Sequence, residues 1–224
     1  MDRATQAFDE AQEVRIPAGR VELAGSLILP PEARAVVLFA HGSGSSRHSP
    51  RNRFVASTLS DGGLGTLLFD LLTEEEEEVD ARTAHLRFDI DLLAERLVHG
   101  TDWMAASRPE LRVGYFGSST GAAASLIAAA ERADRAGAVV SRGGRPDLAG
   151  PALQQVRAAT LLLVGGEDRP VIELNREALA QLRATKRLEI IPGATHLFVE
   201  PGTLEQVARL AEAWFREHLL DREF

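Results

Sequence analysis

Short, continuously apolar runs of strand length alternate with longer stretches of helical spacing along most of this chain, and that alternation most narrows its fold. The runs are Ala35–Ala40 (AVVLFA), Gly65–Asp70 (GTLLFD), Leu111–Phe116, Gly137–Val140, Thr160–Val164 and Arg187–Ile191. A strand that is apolar at every position is buried on both faces, as parallel strands covered by helices are. Between the runs, Arg53–Ser60, Thr83–Ala106, Ala122–Arg132, Asp147–Val156, Val171–Arg183 and Leu204–Leu219 carry the spacing of helices. The pattern predicts an α/β fold: a mostly parallel central sheet flanked by helices on both faces. Val14–Pro17 and Val21–Leu29, either side of Gly19, predict an antiparallel lead-in. No repeat or composition break divides the chain, so residues 1–224 read as a single domain. The interval from Val140 to Thr160 is too short for a large lid.

Composition excludes several functions. Twenty-five basic against 33 acidic residues give a net charge of −8, which argues against a nucleic-acid binder or a basic membrane-surface protein. With no cysteine there is no disulfide framework, thiolate nucleophile or thiolate metal site. The opening MDRATQAFDEAQEVRIP lacks the basic start and apolar centre of a secretory signal, and charged residues interrupt each apolar run short of membrane-spanning length. The expectation is a cytoplasmic protein. Five consecutive glutamates, Glu74–Glu78, offer neighbouring rather than convergent ligands, so they predict a solvated loop or helix start and not a metal site.

In the segment from Leu111 to Ala124 a strand pattern runs through Gly117-Ser118-Ser119-Thr120-Gly121 into a helix. Three fixed letters of Gly-x-Ser-x-Gly would arise by chance in about one chain in ten of this length. The strand before and the helix after are what make the match informative. A sharp strand-to-helix turn strains the nucleophile's backbone, and glycines two before and two after let neighbouring segments pass closely. That spacing selects Ser119 over Ser118.

A serine hydroxyl attacks poorly unless a histidine takes its proton and a carboxylate orients the histidine. The run Leu161–Val164 ends in a glycine turn bearing Glu167 and Asp168, and Ile190–Ile191 leads into a loop carrying His196. Ser119, Asp168 and His196 each follow a strand, in the order serine, acid, histidine, so parallel topology sets all three on one sheet edge. For Asp168 the competing role is a helix N-cap, and Glu167 competes for the acid. His85, His99 and His218 fall in helical patterns. Two N–H donors are also required for a tetrahedral oxyanion: Thr120, after the nucleophile, and Ser43, in the loop His41-Gly42-Ser43-Gly44. That loop lacks the ending of a phosphate-binding P-loop.

The segments LFAHGSGSSRHSPRN, YFGSSTGAAASLIAAA, VVSRGGRPDLAG, LLLVGGEDRPVIELN and IPGATHLF together resemble the dienelactone-hydrolase-like branch of the α/β-hydrolases, over nearly the whole chain. The resemblance implies a compact α/β-hydrolase fold without a large lid, with its triad on Ser119, Asp168 and His196. Dienelactone hydrolases named for that substrate use a cysteine nucleophile, where this chain has a serine. Similar sequences also occur fused to phosphoribosyltransferases.

Arg47, His48, Arg51 and Arg53 in the first loop, and Arg142 and Arg145 after Val140, gather cations at the inferred edge of an acidic protein. Arg142, His48 and Arg47 are therefore candidates to bind an anionic substrate. The reading is a serine hydrolase that cleaves a small carboxylic ester or lactone through an acyl-enzyme, with no cofactor and no metal. The alternatives are a non-catalytic module of the same shape, or a triad acting on thioester, peptide or carbon-carbon bonds.

Overall fold

The computed structural model describes residues 11–221, so most of the N-terminal stretch read for a secretory signal lies outside the described residues. Eight strands form one sheet: β1 (Gln12–Ala18), β2 (Val21–Ile28), β3 (Ala35–Ala40), β4 (Gly65–Phe69), β5 (Arg112–Ser118), β6 (Ala136–Arg142), β7 (Ala159–Gly165) and β8 (Lys186–Ile191). Their spatial order is β1-β2-β4-β3-β5-β6-β7-β8. β1 pairs antiparallel with β2, and β2 antiparallel with β4. All remaining pairs are parallel, as the apolar runs predict.

The two faces divide the side chains by strict alternation, because successive residues of a strand point to opposite sides. In β3, Val36, Leu38 and Ala40 join one core with Phe69, Leu97, Tyr115 and Leu126. Ala35, Val37 and Phe39 join the other with Leu59, Phe116, Leu161 and Phe215. Helices α3 (Ile90–Ser107), α4 (Thr120–Glu131) and α5 (Arg169–Gln181) lie over the first face, and α1 (Pro50–Asp61) and α6 (Thr203–Phe215) over the second. Among the described residues no helix is long and apolar enough to cross a membrane.

Two helical expectations are corrected. Thr83–Ala106 is not one helix: α2 (Glu74–Thr83) ends at Ala84, left-handed at φ 54°, and a 3-10 turn at Leu86–Phe88 precedes α3. The break is held by polar groups that apolar spacing does not report. The Asp80 carboxylate accepts from the N–H groups of Leu86 (2.8 Å) and Arg87 (3.1 Å), and Asp89 accepts from Leu92 N–H at the start of α3. Asp147–Val156 is likewise a kinked 3-10 stretch, Pro146–Gln155, because Gly150 takes φ 50° and Pro151 follows it.

The glutamate run forms the first turns of α2. Thr73 Oγ1 accepts from Glu76 N–H, and the Glu76 carboxylate accepts from Thr73 N–H at 2.8 Å, a reciprocal capping box. Glu76 also takes Nη2 of the buried Arg96 at 2.8 Å, while Glu74, Glu75, Glu77 and Glu78 are exposed. One glutamate of the five is thus built into the fold. Glu76→Ala is expected to cost about 1–2 kcal/mol in urea unfolding, with Glu78→Ala leaving the midpoint unchanged.

Candidate active site

β5 meets α4 at Ser119, whose backbone lies at φ 51° and ψ −122°, a conformation that side chains disfavour. Three features hold it there. The Ser119 carbonyl accepts from Ala122 N–H (3.1 Å) and Arg145 N–H (3.0 Å). A Cβ on Gly117 would sit 2.5 Å from Ala122 Cα, and one on Gly121 only 2.2 Å from the Ala40 carbonyl oxygen. Both glycines of the motif therefore serve close backbone approach.

Asp168 and His196 come from loops stitched together at the same sheet edge. Gly166 N–H donates to the Ile191 carbonyl (2.8 Å) and Glu167 N–H to that of Ala194 (3.0 Å). Glu200 clamps the histidine loop by accepting from Thr195 N–H (3.1 Å) and Thr195 Oγ1 (2.6 Å). Asp168 occupies the N-cap position of α5, yet its side chain makes no capping bond. It accepts instead from His196 Nδ1 at 2.6 Å. An ionised carboxylate can only accept, so this bond places the proton on Nδ1 and leaves the Nε2 lone pair to act as base. Glu167 is exposed and takes no part in this contact.

Ser119 and His196 line one cavity of about 270 Å³, together with Gly42, Ser43, Arg51, Ser118, Arg142 and Leu197 among others. Ser43 and Thr120 are joined by their side chains, Oγ to Oγ1 at 3.2 Å, so the two chosen oxyanion residues sit side by side. Thr120 is the first residue of α4, and its N–H has no acceptor within the helix. Gly42 lies against Ser119, since a Cβ there would be 3.0 Å from Ser119 Cβ.

Two features are not legible in the motifs. Ser118, the rival serine, is buried and committed: its Oγ accepts from Arg142 Nη2 (2.9 Å) and donates to Asn52 Oδ1 (3.3 Å). His41 ties the Gly42–Ser43 loop to Leu71. Its Nε2 accepts from Leu71 N–H (3.1 Å), which assigns the proton to Nδ1, facing the Gly42 carbonyl at 3.1 Å. Burial holds the His41 pKa below its ordinary 6.5, outweighing the opposing pull of the Gly42 carbonyl and the Asp70 charge.

The cationic candidates divide. Arg142 reaches the cavity; Arg47 and His48 do not. Arg47 is ion-paired with Asp70, accompanied by its own N–H to Asp70 Oδ1 at 2.7 Å, and lines a separate cavity beside β2. The carboxylate that captures it follows β4, a contact between segments that adjacency in sequence does not reveal. His48 is exposed, its Nδ1 2.7 Å from Arg53 Nη2.

The strand order and parallel crossovers, with no lid inserted over the carboxyl edge, are those of an α/β-hydrolase. The chain belongs to the dienelactone hydrolase family, whose profile matches residues 23–219. A dienelactone hydrolase from Anabaena variabilis is 60% identical with a TM-score of 0.91, covering 94% of this chain and 99% of that one. A lidless α/β serine hydrolase from Xanthomonas campestris shares the fold at 21% identity and TM-score 0.73, over 96% and 97% of the two chains. A Pyrococcus furiosus esterase does so at 18% and 0.78, over 98% and 96%. A Mycobacterium tuberculosis protein provisionally named a phosphoribosyl transferase is 54% identical over 98% of this chain but 52% of its own length. The chain thus spans about half the length of that relative. Family membership thus rests on the profile and the 60% identical Anabaena protein, and the two more distant neighbours show the fold.

The buried neutral His41 ties the loop to pH. Unfolding releases its ring to titrate at the ordinary 6.5, so below that pH the unfolded chain binds a proton that the folded chain does not. Stability is fully present above about pH 6.5 and falls as pH drops toward the lowered folded value. Urea unfolding of wild type and His41→Gln between pH 8 and 5 is expected to show a shallower acid slope in the variant.

Proposed function

We propose that this hydrolase cleaves a carboxylic ester or lactone through an acyl-enzyme on Ser119. The observation that carries the reading is the Asp168 carboxylate, which leaves the helix cap beside it unmade and holds His196 Nδ1 at 2.6 Å. His196 Nε2 takes the Ser119 hydroxyl proton as Oγ bonds to the substrate carbonyl carbon, and the carbonyl oxygen becomes an oxyanion. The N–H groups of Thr120 and Ser43 receive that charge, aided by the N-terminal end of α4. Collapse of the intermediate breaks the bond to the leaving oxygen, which takes the proton from Nε2. Water, deprotonated by the same nitrogen, then attacks the acyl carbon and releases Ser119. Asp168 remains ionised throughout, fixing the ring and balancing the imidazolium.

The esterase and serine-hydrolase names of the Pyrococcus and Xanthomonas proteins support this reading. The transferase name of the mycobacterial relative describes a protein about twice as long, and we do not carry it to this chain. A fluorophosphonate probe is expected to label Ser119 and to spare Ser118, whose hydroxyl is already engaged on both sides. Folded protein that carries no label at Ser119 would overturn the proposal. Ser119→Ala should lower turnover of aryl esters at least 1,000-fold, roughly, and Asp168→Asn by about 1,000- to 10,000-fold.

A further inference from the structure

Among the described residues that line the Ser119 cavity none is acidic, yet two are arginines. Arg142 is 7% exposed. Its Nη2 donates to Ser118 Oγ at 2.9 Å, while its Nη1 is buried with no hydrogen-bond partner among the described residues. Arg51, on the same cavity wall, has its Nε in the same condition. Two other cations of this edge are matched with carboxylates: Arg47 with Asp70, and Arg145 with Asp147 through two bonds of 2.8 and 2.9 Å. Burying a guanidinium without a counter-charge is costly, and setting a second one against it adds repulsion. Both effects are visible in Arg142, whose pKa burial first and Arg51 second push down to about 10. At neutral pH it is still a cation, so the unmatched charge is real.

We infer that the substrate of this hydrolase carries a phosphate monoester beside its scissile carboxylic ester, and that Arg142 and Arg51 hold the phosphate, which is bound and not cleaved. The inference rests on the reading of Ser119 as nucleophile. A carboxylate is best met by the two parallel donors of one open guanidinium fork. One N–H of Arg142 Nη2 is committed to Ser118, so that end of its guanidinium is not fully open to a second acceptor. What lines the cavity is two guanidiniums together with Ser43, Ser45 and Ser49. That set fits a group with about two negative charges and three acceptor oxygens.

The test uses Ser119→Ala protein, which keeps the arginines and cannot turn over. Inorganic phosphate, titrated by calorimetry at pH 7.5, is expected to bind at one site, with acetate at least tenfold weaker, roughly. Adding Arg51→Met should weaken phosphate binding about 10- to 100-fold, as loss of a charged hydrogen bond does. Arg142→Met should act alike, and Arg142→Lys, which keeps the charge, should recover part of the loss if removal of the Ser118 contact disturbs the turn. In the otherwise wild-type chain, inorganic phosphate should slow labelling of Ser119 by a neutral fluorophosphonate, and in Arg51→Met that protection should be lost. Phosphate binding that neither substitution weakens, or acetate binding as tight as phosphate, would overturn the inference. Failure of the unsubstituted chain to label would instead strike the hydrolase mechanism itself, so the two failures are distinguishable.

Discussion

The left-handed turn at Ser119 is the constraint around which the carboxyl edge of the sheet is built. A residue with a side chain does not hold φ 51° and ψ −122° unless its surroundings over-determine it. Here the determination is backbone on backbone: β3 passes so close to Gly121, and the start of α4 so close to Gly117, that no Cβ fits at either glycine. The same closeness brings the Gly42–Ser43 loop, which continues β3, against Ser119. The turn, the Gly42–Ser43 loop and the N-terminal end of α4 therefore form one unit, and a change in any of them displaces the others.

Beneath that unit runs a buried polar chain from Arg142 through Ser118 to Asn52. It separates two adjacent serines that sequence alone distinguishes only by glycine spacing. Successive residues at the end of β5 face opposite ways: Ser118 turns inward and has both its donor and an acceptor site engaged, and Ser119 lines the cavity that His196 also lines. The chain also fixes one arm of Arg142, which is why the charge it brings to the cavity is held in place but incompletely matched.

The strands were legible because a parallel strand buried on both faces must be apolar at nearly every position. Such runs as Val36–Ala40 and Leu161–Val164 are buried along their whole length in the sheet. Helices were legible only where packing sets their limits. The break at Ala84–Asp89 depends on Asp80 accepting backbone N–H groups six and seven residues ahead, and the kink at Gly150 on one glycine's φ. Both lie within stretches whose apolar spacing continues undisturbed. The cationic loop divides for the same reason: Arg47 finds Asp70 across the fold, and no local pattern announces which arginine will meet a carboxylate.

By itself the sequence determined the alternating α/β order, the strand-turn-helix setting of Ser119, and the succession of serine, acid and histidine after separate strands. These follow from local periodicity and chain direction, since parallel strands deliver their following loops to one edge. Only the tertiary structure decided that Asp168 bonds His196 rather than capping its own helix, that Ser118 is engaged, and that Arg142 and Arg51 face the Ser119 cavity while Arg47 does not. Those outcomes depend on which of several competing partners lies within about 3 Å, a distance set by the packing of segments far apart in the chain.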